Sequence, residues 1–543
     1  MRKYIFILLV AIIGTSCTDD YLNKTPITEL SPEFFWQTET DLQLGLNYLY
    51  RGINPGLTGD VRTIDTYAES QNAVSAGNNS APNSDGVYNN SYSYIRKAND
   101  FLENYDNANV SESVKNRYKG EALFFRAFYH FELCKRFGDI IIARNTLDFD
   151  SEELYGSRDS RDDVIDFIMS DLEEASGYLP KKSEIAGEAY GRITKGANDA
   201  FASRVALYFG TLKKYSGETG AEALLQKAKS YADKVITSQE YSLFELPSYE
   251  NFSDLFYEEN EANDETILAY QYSRDHGSYN IWVRALITDN YSSPLKNLAD
   301  AFLMNNGLPI THNASGFSGY VTKNSEFENR DPRMFGTFYR PGIDKDNSGE
   351  IFEINSLGTF STTGYCPRKY TYLDAVGDLS GERRYGDVMV IRYAEVLLIY
   401  AEASFELGAT GAELDQVLNK SINVLRDRVG MTHLTTAFVT NNSLDMLTEI
   451  RRERQVELAN ESFRYDDLIR WRTAMTELNQ DVLGATTKVY SAFTGKKKTI
   501  DGVDFVWLEE ASTRNFTEKN YLFPLPIVQW QLNENLLPNN PGW

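Results

Sequence analysis

Ile391, Ala394, Leu398, Ala401 and Phe405 recur at spacings of 3, 4, 3 and 4 residues. That period puts them on one face of an α-helix, and such a stripe has to be buried against another element. The same pattern recurs along much of the chain. Thr38-x-x-Asp41 reads as a capping box opening a helix to about Tyr50. Further helices are expected near 91–106, at 112–137 behind Ser111, and near 161–178, 195–214 and 221–237, the last opened by Thr219-x-x-Glu222. Thr410-x-x-Glu413 opens a partner helix running to about Arg428, and a third pair is expected near 443–459 and 463–478. Helix pairs of about 34–45 residues suggest tetratricopeptide-like units. A chain of 543 residues could hold three or four domains or one repeat-built body. The fold class expected is mainly α: a helical-pair scaffold over about 38–238 and 387–480, with a few short strands.

Two stretches break the pattern. Residues 52–90 are rich in Gly, Asn and Ser and read as long loops, uncommon unless they carry function. Residues 239–386 hold turn clusters, many aromatics and short β-like runs at Thr266–Tyr272 and Phe335–Tyr339, an irregular region suited to a ligand face. The tail, 490–543, reads as a hairpin followed by an extended segment.

Residues 1–16 read as an export signal. Arg2 and Lys3 precede an apolar run from Ile5 to Ile13, too short to span a membrane. It ends in Gly14-Thr15-Ser16-Cys17, the pattern of a bacterial lipoprotein signal with Cys17 as the acylated residue. Acyl chains anchor firmly when two or more are present. Asp19 and Asp20 follow closely, as in surface-export signals or a solvated tether. Residues 17–543 are then one mature body. Cys134 and Cys366 are too few for a disulfide framework.

The formal charge is −24, which argues against nucleic acid as a partner and opposes strongly anionic ligands. With 35 Tyr, 30 Phe and 6 Trp, the composition suits neutral polar ligands better. Enzyme signals are poor: the chain has no His-Glu-x-x-His, Cys-x-x-Cys, Gly-x-Ser-x-Gly or P-loop, and its 4 histidines are scattered. Glu395 and Glu402 lie two helical turns apart, farther than a glycosidase pair requires, and are expected to ion-pair with basic groups such as Arg392. The series Arg451, Arg452, Arg454, Arg464, Arg470 and Arg472 could form an anion site, but its interleaving with Glu453, Glu457, Glu461, Asp466 and Asp467 favours interhelical ion pairs. The acidic run Glu258, Glu259, Glu261, Asp264 and Glu265 reads as a solvated loop.

Five segments together resemble a known family. They are Tyr118-Lys119-Gly120-Glu121 through Phe137-Gly138-Asp139; Gly191-Arg192-Ile193-Thr194 with Arg204–Tyr208; Arg330-Asp331-Pro332-Arg333; Ile391-Arg392-Tyr393-Ala394-Glu395 through Ala403; and Arg451–Arg454 with Glu457-Leu458-Ala459, Arg464-Tyr465 and Asp467–Trp471. Tyr521–Pro526 and Asn540–Trp543 close the chain. In this order they resemble the SusD/RagB outer-membrane lipoproteins of Bacteroidota. One departure is Glu461-Ser462-Phe463, where the family has Glu-Gly. The resemblance implies a tetratricopeptide-type scaffold with a loop-rich ligand face and lipid-anchored surface display. It implies partnership with a SusC-like TonB-dependent transporter and capture of oligosaccharides, or of peptides in RagB-like members. No enzyme activity and no required cofactor are implied.

The resemblance places aromatic ligand contacts in the irregular region and in the loop after the first helix. Here these positions offer Trp282, Tyr279 and Tyr291, with Tyr67, Asn72 and Tyr88. An aromatic face can cover a sugar's C–H face while amides and hydroxyls meet its polar rim. Trp282 carries this expectation, with a buried packing role as its alternative. Asp344, Asp346, Ser348 and Glu350 are spaced like the start of a calcium loop, but Asn355 stands where the bidentate Glu belongs. The alternative is a surface turn.

Overall fold

The structure is a computed structural model that describes residues 35–543, apart from 54, 186, 188–190, 274, 346–348, 355–359, 372, 374–384 and 490–492. Cys17 lies outside the described residues.

The first half is the helical scaffold. α1 (Glu39–Asn47) carries the expected capping box, with Thr38 and Asp41 bonding each other's backbone N–H. It is followed by α2 (Gly86–Asn104), α3 (Glu112–Phe137), α4 (Arg161–Tyr178), α5 (Lys195–Ser216) and α6 (Ala221–Ser238), each packed on its neighbour in sequence. α3 is apolar nearly all round, so it sits at the centre of the main core with Phe124, Phe125, Phe131 and Phe137 buried. Truncating such a ring costs about 3–5 kcal/mol. One boundary and one cap differ from the expectation. α2 begins five residues before 91, because Asp85 accepts from the N–H groups of Val87 and Tyr88. α6 starts after Gly220 in the left-handed region, with no side-chain cap from Thr219.

The irregular region carries short elements. β1 (Thr66–Tyr67) precedes the region and pairs antiparallel with its β3 (Ser293–Pro294). β2 (Thr266–Tyr270) is followed by α7 (Trp282–Ile287), then β3, then α8 (Lys296–Ala301) and α9 (Arg333–Thr337). β4 (Phe338–Tyr339) pairs with β5 (Cys366–Pro367). The β-like run at 335–339 is thus helical as far as Thr337, because Pro332 at the N-cap and the buried Arg333 network set a helical turn there. β6 (Val388–Arg392) returns beside β2 and leads into α10 (Tyr393–Glu406).

α10 packs on α6 and on α14 (Met446–Glu457). Between them run α11 (Gly411–Lys420), α12 (Ile422–Arg428) and α13 (Thr436–Asn441). The helix expected from 410 to 428 is therefore broken, at Ser421, whose backbone leaves the helical region with φ −136° and ψ −92°. α15 (Arg464–Arg470) and α16 (Ala474–Leu478) likewise divide the last expected helix. β7 (Val482–Thr486) joins the C-terminal hairpin of β8 (Lys497–Ile500) and β9 (Val503–Glu509) in a three-stranded sheet ordered 7-9-8. α17 (Ile527–Leu532) interrupts the extended tail.

A buried charge network clamps the irregular region to the scaffold. Arg392 bonds Glu265 at 2.8 Å, Glu457 at 2.7 Å and Glu461 at 2.7 Å. Arg428 bonds the same Glu265 and Glu457. Arg333 bonds Asp331, Glu453 and Glu457, Arg426 bonds Glu453, and Lys369 bonds Glu461. Five cations thus meet five carboxylates. Buried charges are tolerable only in such matched company. The acidic run contributes one member: Glu265 is fully buried in the network, not solvated.

Candidate functional site

The aromatic candidates fall in different places. Tyr67 sits on β1 opposite Ser293, two residues beyond Tyr291. This ladder is stitched to the segment after it: Thr362 Oγ1 donates to Ala68 O, its N–H to Ser293 Oγ, and Thr363 Oγ1 to Pro294 O. Burial and the neighbouring Glu509 carboxylate raise the Tyr67 hydroxyl well above its usual range, so it remains a neutral donor. Asn72 belongs to the same loop, but its Oδ1 accepts from the N–H groups of Val74 and Ser75, a role in shaping the turn.

Tyr279 and Tyr291 flank the short helix α7. They are 36% and 49% exposed, large flat faces on a fixed backbone. Tyr291 is held by its N–H donating to Ala285 O. The Tyr279 ring lies 5.7 Å from that of Tyr385, tilted by 54°. Trp282 opens the helix and is half-buried. It packs against the buried cluster that includes Leu57, Phe252 and Leu286, and its six-membered ring faces Gly56. The indole N–H is buried without an acceptor among the described residues. Trp282 therefore braces the helix against the buried cluster, while the tyrosines on either side of it are exposed.

Tyr88 is elsewhere. It is buried on α2 between Tyr92 and Phe137, at centroid distances of 4.9 and 5.4 Å. It borders a separate cavity of about 680 Å³ that Phe149, Tyr155 and Leu532 also line. This recess is not legible in the sequence, because its parts come from α2, the 141–155 segment and the tail. Phe149 and Leu532 in its lining are 87% and 70% accessible.

The calcium candidates are held as follows. Asp344 accepts from Arg340 Nη2 at 2.8 Å and from the Arg340 backbone N–H at 2.6 Å, and Arg368 lies 3.6 Å away. Glu350 is exposed. Asp346 and Ser348 lie outside the described residues. A cation at this turn would have to draw Asp344 away from Arg340. Among the described residues, no group of three or more His, Cys, Asp or Glu side chains is arranged to hold a metal.

The carboxylates of α10 are locked into the scaffold. Glu395 is paired with Arg204, and Glu402 with Arg470 and the Trp471 indole N–H, both at about 1% exposure. Their partners are thus Arg204 and Arg470, not Arg392. Arg470 keeps Glu402 below the ordinary carboxylate range despite its burial. Among the described residues, no helix is long and apolar enough to cross a membrane.

Known proteins match this arrangement along the whole chain. Residues 264–543 match the model of the SusD family, and residues 47–207 one described as "Starch-binding associating with outer membrane". SusD-like protein P2 of Formosa agariphila is 25% identical over 100% of both chains. A SusD-like protein of Bacteroides ovatus is 24% identical over 86% of this chain and 82% of its own. Among solved structures, a SusD-like carbohydrate binding protein from Bacteroides fragilis superposes with a TM-score of 0.78 at 23% identity, over 93% of this chain and 100% of its own. A laminarin binding SusD-like protein gives 0.65 at 21% identity, over 93% and 100%. With a family model covering the irregular region, the charge network and the tail, and relatives aligned from end to end, the chain belongs to the SusD family.

Proposed function

We propose that this protein is a non-catalytic capture protein for neutral oligosaccharides, held on the outer surface of the outer membrane by lipid on Cys17, and that it passes its ligand to a SusC-like TonB-dependent transporter. The observation that carries the ligand class is the pair of exposed rings, Tyr279 and Tyr291, on either side of a helix braced by Trp282. A tyrosine offers an apolar face for a sugar ring and a hydroxyl for its rim, at little conformational cost. The family supports the reading, since relatives include a laminarin binding protein and a surface glycan-binding protein from Bacteroides fluxus. The acidic surface supports a neutral ligand over a polyanion.

Capture of peptides is the second reading. It draws on the 680 Å³ recess beside Tyr88, whose mostly apolar lining suits hydrophobic side chains. A glycan array and an affinity gel with the purified chain, run beside a peptide library, separate the two. Retention by a neutral glycan supports the first; a blank glycan array with saturable peptide binding replaces it by the second.

A further inference from the structure

The arginine series of the sequence resolves into paired members and one exception. Arg452 bonds Glu449 at 3.2 Å, Arg454 bonds Asp467 at 2.9 Å, Arg464 bonds Glu477 at 2.8 Å, and Arg470 and Arg472 bond Glu402 and Glu518. Arg451 has no such partner. Its guanidinium lies over the rings of Tyr215 and Trp471, 4.8 and 4.5 Å from their centroids. Its Nε and Nη2 are buried without an acceptor among the described residues. The nearest carboxylate, Glu406, is 3.9 Å away and already bonded by Lys214 at 2.7 Å and by the Tyr215 hydroxyl.

Arg451 lines a cleft of about 340 Å³ between α14, α8 and the loop at 309–311. Arg452 and Arg464 line it too. So do the carboxylates Asp300 and Glu477, but Asp300 is bonded by Lys296 and the Tyr320 hydroxyl, and Glu477 by Arg464. Every carboxylate on the cleft wall is therefore neutralised by a cation of its own, and the charge of Arg451 is left over. A guanidinium packed against two rings is oriented before any ligand arrives, and its delocalised charge suits a carboxylate or sulfate. The volume is at the small end of ligand cavities. The protein's negative charge does not forbid such a ligand, since at physiological salt it is screened beyond about 8 Å while the cleft acts at contact.

We propose that this cleft is a binding site for one compact oxyanion, a carboxylate or sulfate borne by a ligand of about one sugar unit, with Arg451 as its principal donor. The inference does not depend on the tyrosine face, which lies on other elements. The test is calorimetric titration of the full mature chain at fixed ionic strength with sodium glucuronate, sodium acetate, sodium sulfate and glucose.

The expected result is saturable binding of at least one anion, none of glucose, and affinity weaker by about tenfold or more in Arg451→Gln, the scale of one lost charge-assisted hydrogen bond. Glucuronate binding tighter than acetate identifies an acidic sugar as the ligand; equal affinities identify the free anion. Arg451→Lys keeps the charge but not the fork, and is expected to fall between the two. It carries the test if the Gln variant does not fold. Absence of saturation with every anion, glucose binding as well as glucuronate, or unchanged affinity in the folded variants overturns the proposal. Failure of glycan capture at Tyr279 and Tyr291 would leave these titrations unaffected, so the two readings fail separately.

Discussion

Arg392 grips Glu461 with two hydrogen bonds, Nε to Oε2 at 2.7 Å and Nη2 to Oε1 at 2.9 Å, joining the strand that closes the irregular region to the loop after α14. Both side chains are buried, and the arginine keeps Glu461 below the ordinary carboxylate range against the cost of that burial. The irregular region is thereby fixed to the scaffold by charge as well as by apolar packing.

Removing one partner of such a pair strands the other. Arg392→Ala is expected to cost about 3–5 kcal/mol in urea unfolding, since Glu265, Glu457 and Glu461 all lose it. The Arg392→Ala, Glu461→Ala double variant should lose less than the sum of the single variants. Additive losses would show that the two residues act independently.

Two buried carboxylates and one half-buried carboxylate set the response to pH. Asp60, Asp387 and Glu326 are each pushed up to about 7, first by burial. A raised carboxylate keeps its proton in the folded chain when the unfolded chain has lost it. Its contribution is thus complete below the ordinary pKa near 4 and is lost as pH rises towards 7. Glu453, Glu457 and Glu461 are lowered by their arginines and act in the opposite sense: their contribution is present above pH 4.5 and lost on acidification. Stability should therefore peak near pH 5. Asp60 accepts the Ser462 N–H with one carboxylate oxygen and the Arg464 N–H with the other, so an asparagine keeps one of these bonds and turns its NH2 towards the second N–H. Asp60→Asn is therefore expected to lower stability at pH 5 and to flatten the fall between pH 5 and 8. An unchanged slope in denaturation at several pH values would contradict this.

Ser462 stands where the family carries glycine, and its φ of 69° is left-handed. Its hydroxyl donates to Gly56 O at 2.7 Å and accepts from Gly59 N at 2.9 Å. Glycine would relieve roughly 1–2 kcal/mol of backbone strain but lose two bonds of about 1 kcal/mol each, and would loosen the unfolded chain further. Ser462→Gly should destabilise by about 1 kcal/mol or less, and Ser462→Ala, which keeps the strain and loses the bonds, by about 2 kcal/mol. A Ser462→Ala variant as stable as the unmodified chain in urea would mean that the hydroxyl contributes nothing.

Replacing Cys17 with Ala should release the protein from membrane fractions, as expected if acyl chains supply the anchor. Fractionation with carbonate extraction checks this. A variant that still pellets with the membrane would be held by something other than lipid.

The scaffold was legible because helical periodicity is a local signal. α3, α4, α5 and α6 all lie within a few residues of their expected spans. Interruptions were less legible: nothing around Ser421 announces a break, and Phe335–Tyr339 is apolar enough for a strand although Arg333 draws its first half into a helix. Ion pairing was readable as a class but not as partners. Glu395 meets Arg204, 191 positions away, which no spacing rule foretells. At the candidate site, Tyr279 and Tyr291 flank one short helix, while Tyr88 shares only sequence proximity with Tyr67: it packs on Phe137, whereas Tyr67 pairs with Ser293.

Capture of a neutral sugar by the exposed tyrosines of the irregular region is the proposed function. Its most direct measurement is the affinity of the Tyr279→Ala, Tyr291→Ala double variant for a neutral glycan retained by the unmodified chain, with the melting temperature read in parallel. Stacked rings at a binding surface contribute roughly 1–3 kcal/mol each. The expected result is affinity lower by about tenfold or more with the melting temperature little changed. Undiminished affinity in a folded double variant would contradict the account and move the ligand away from α7.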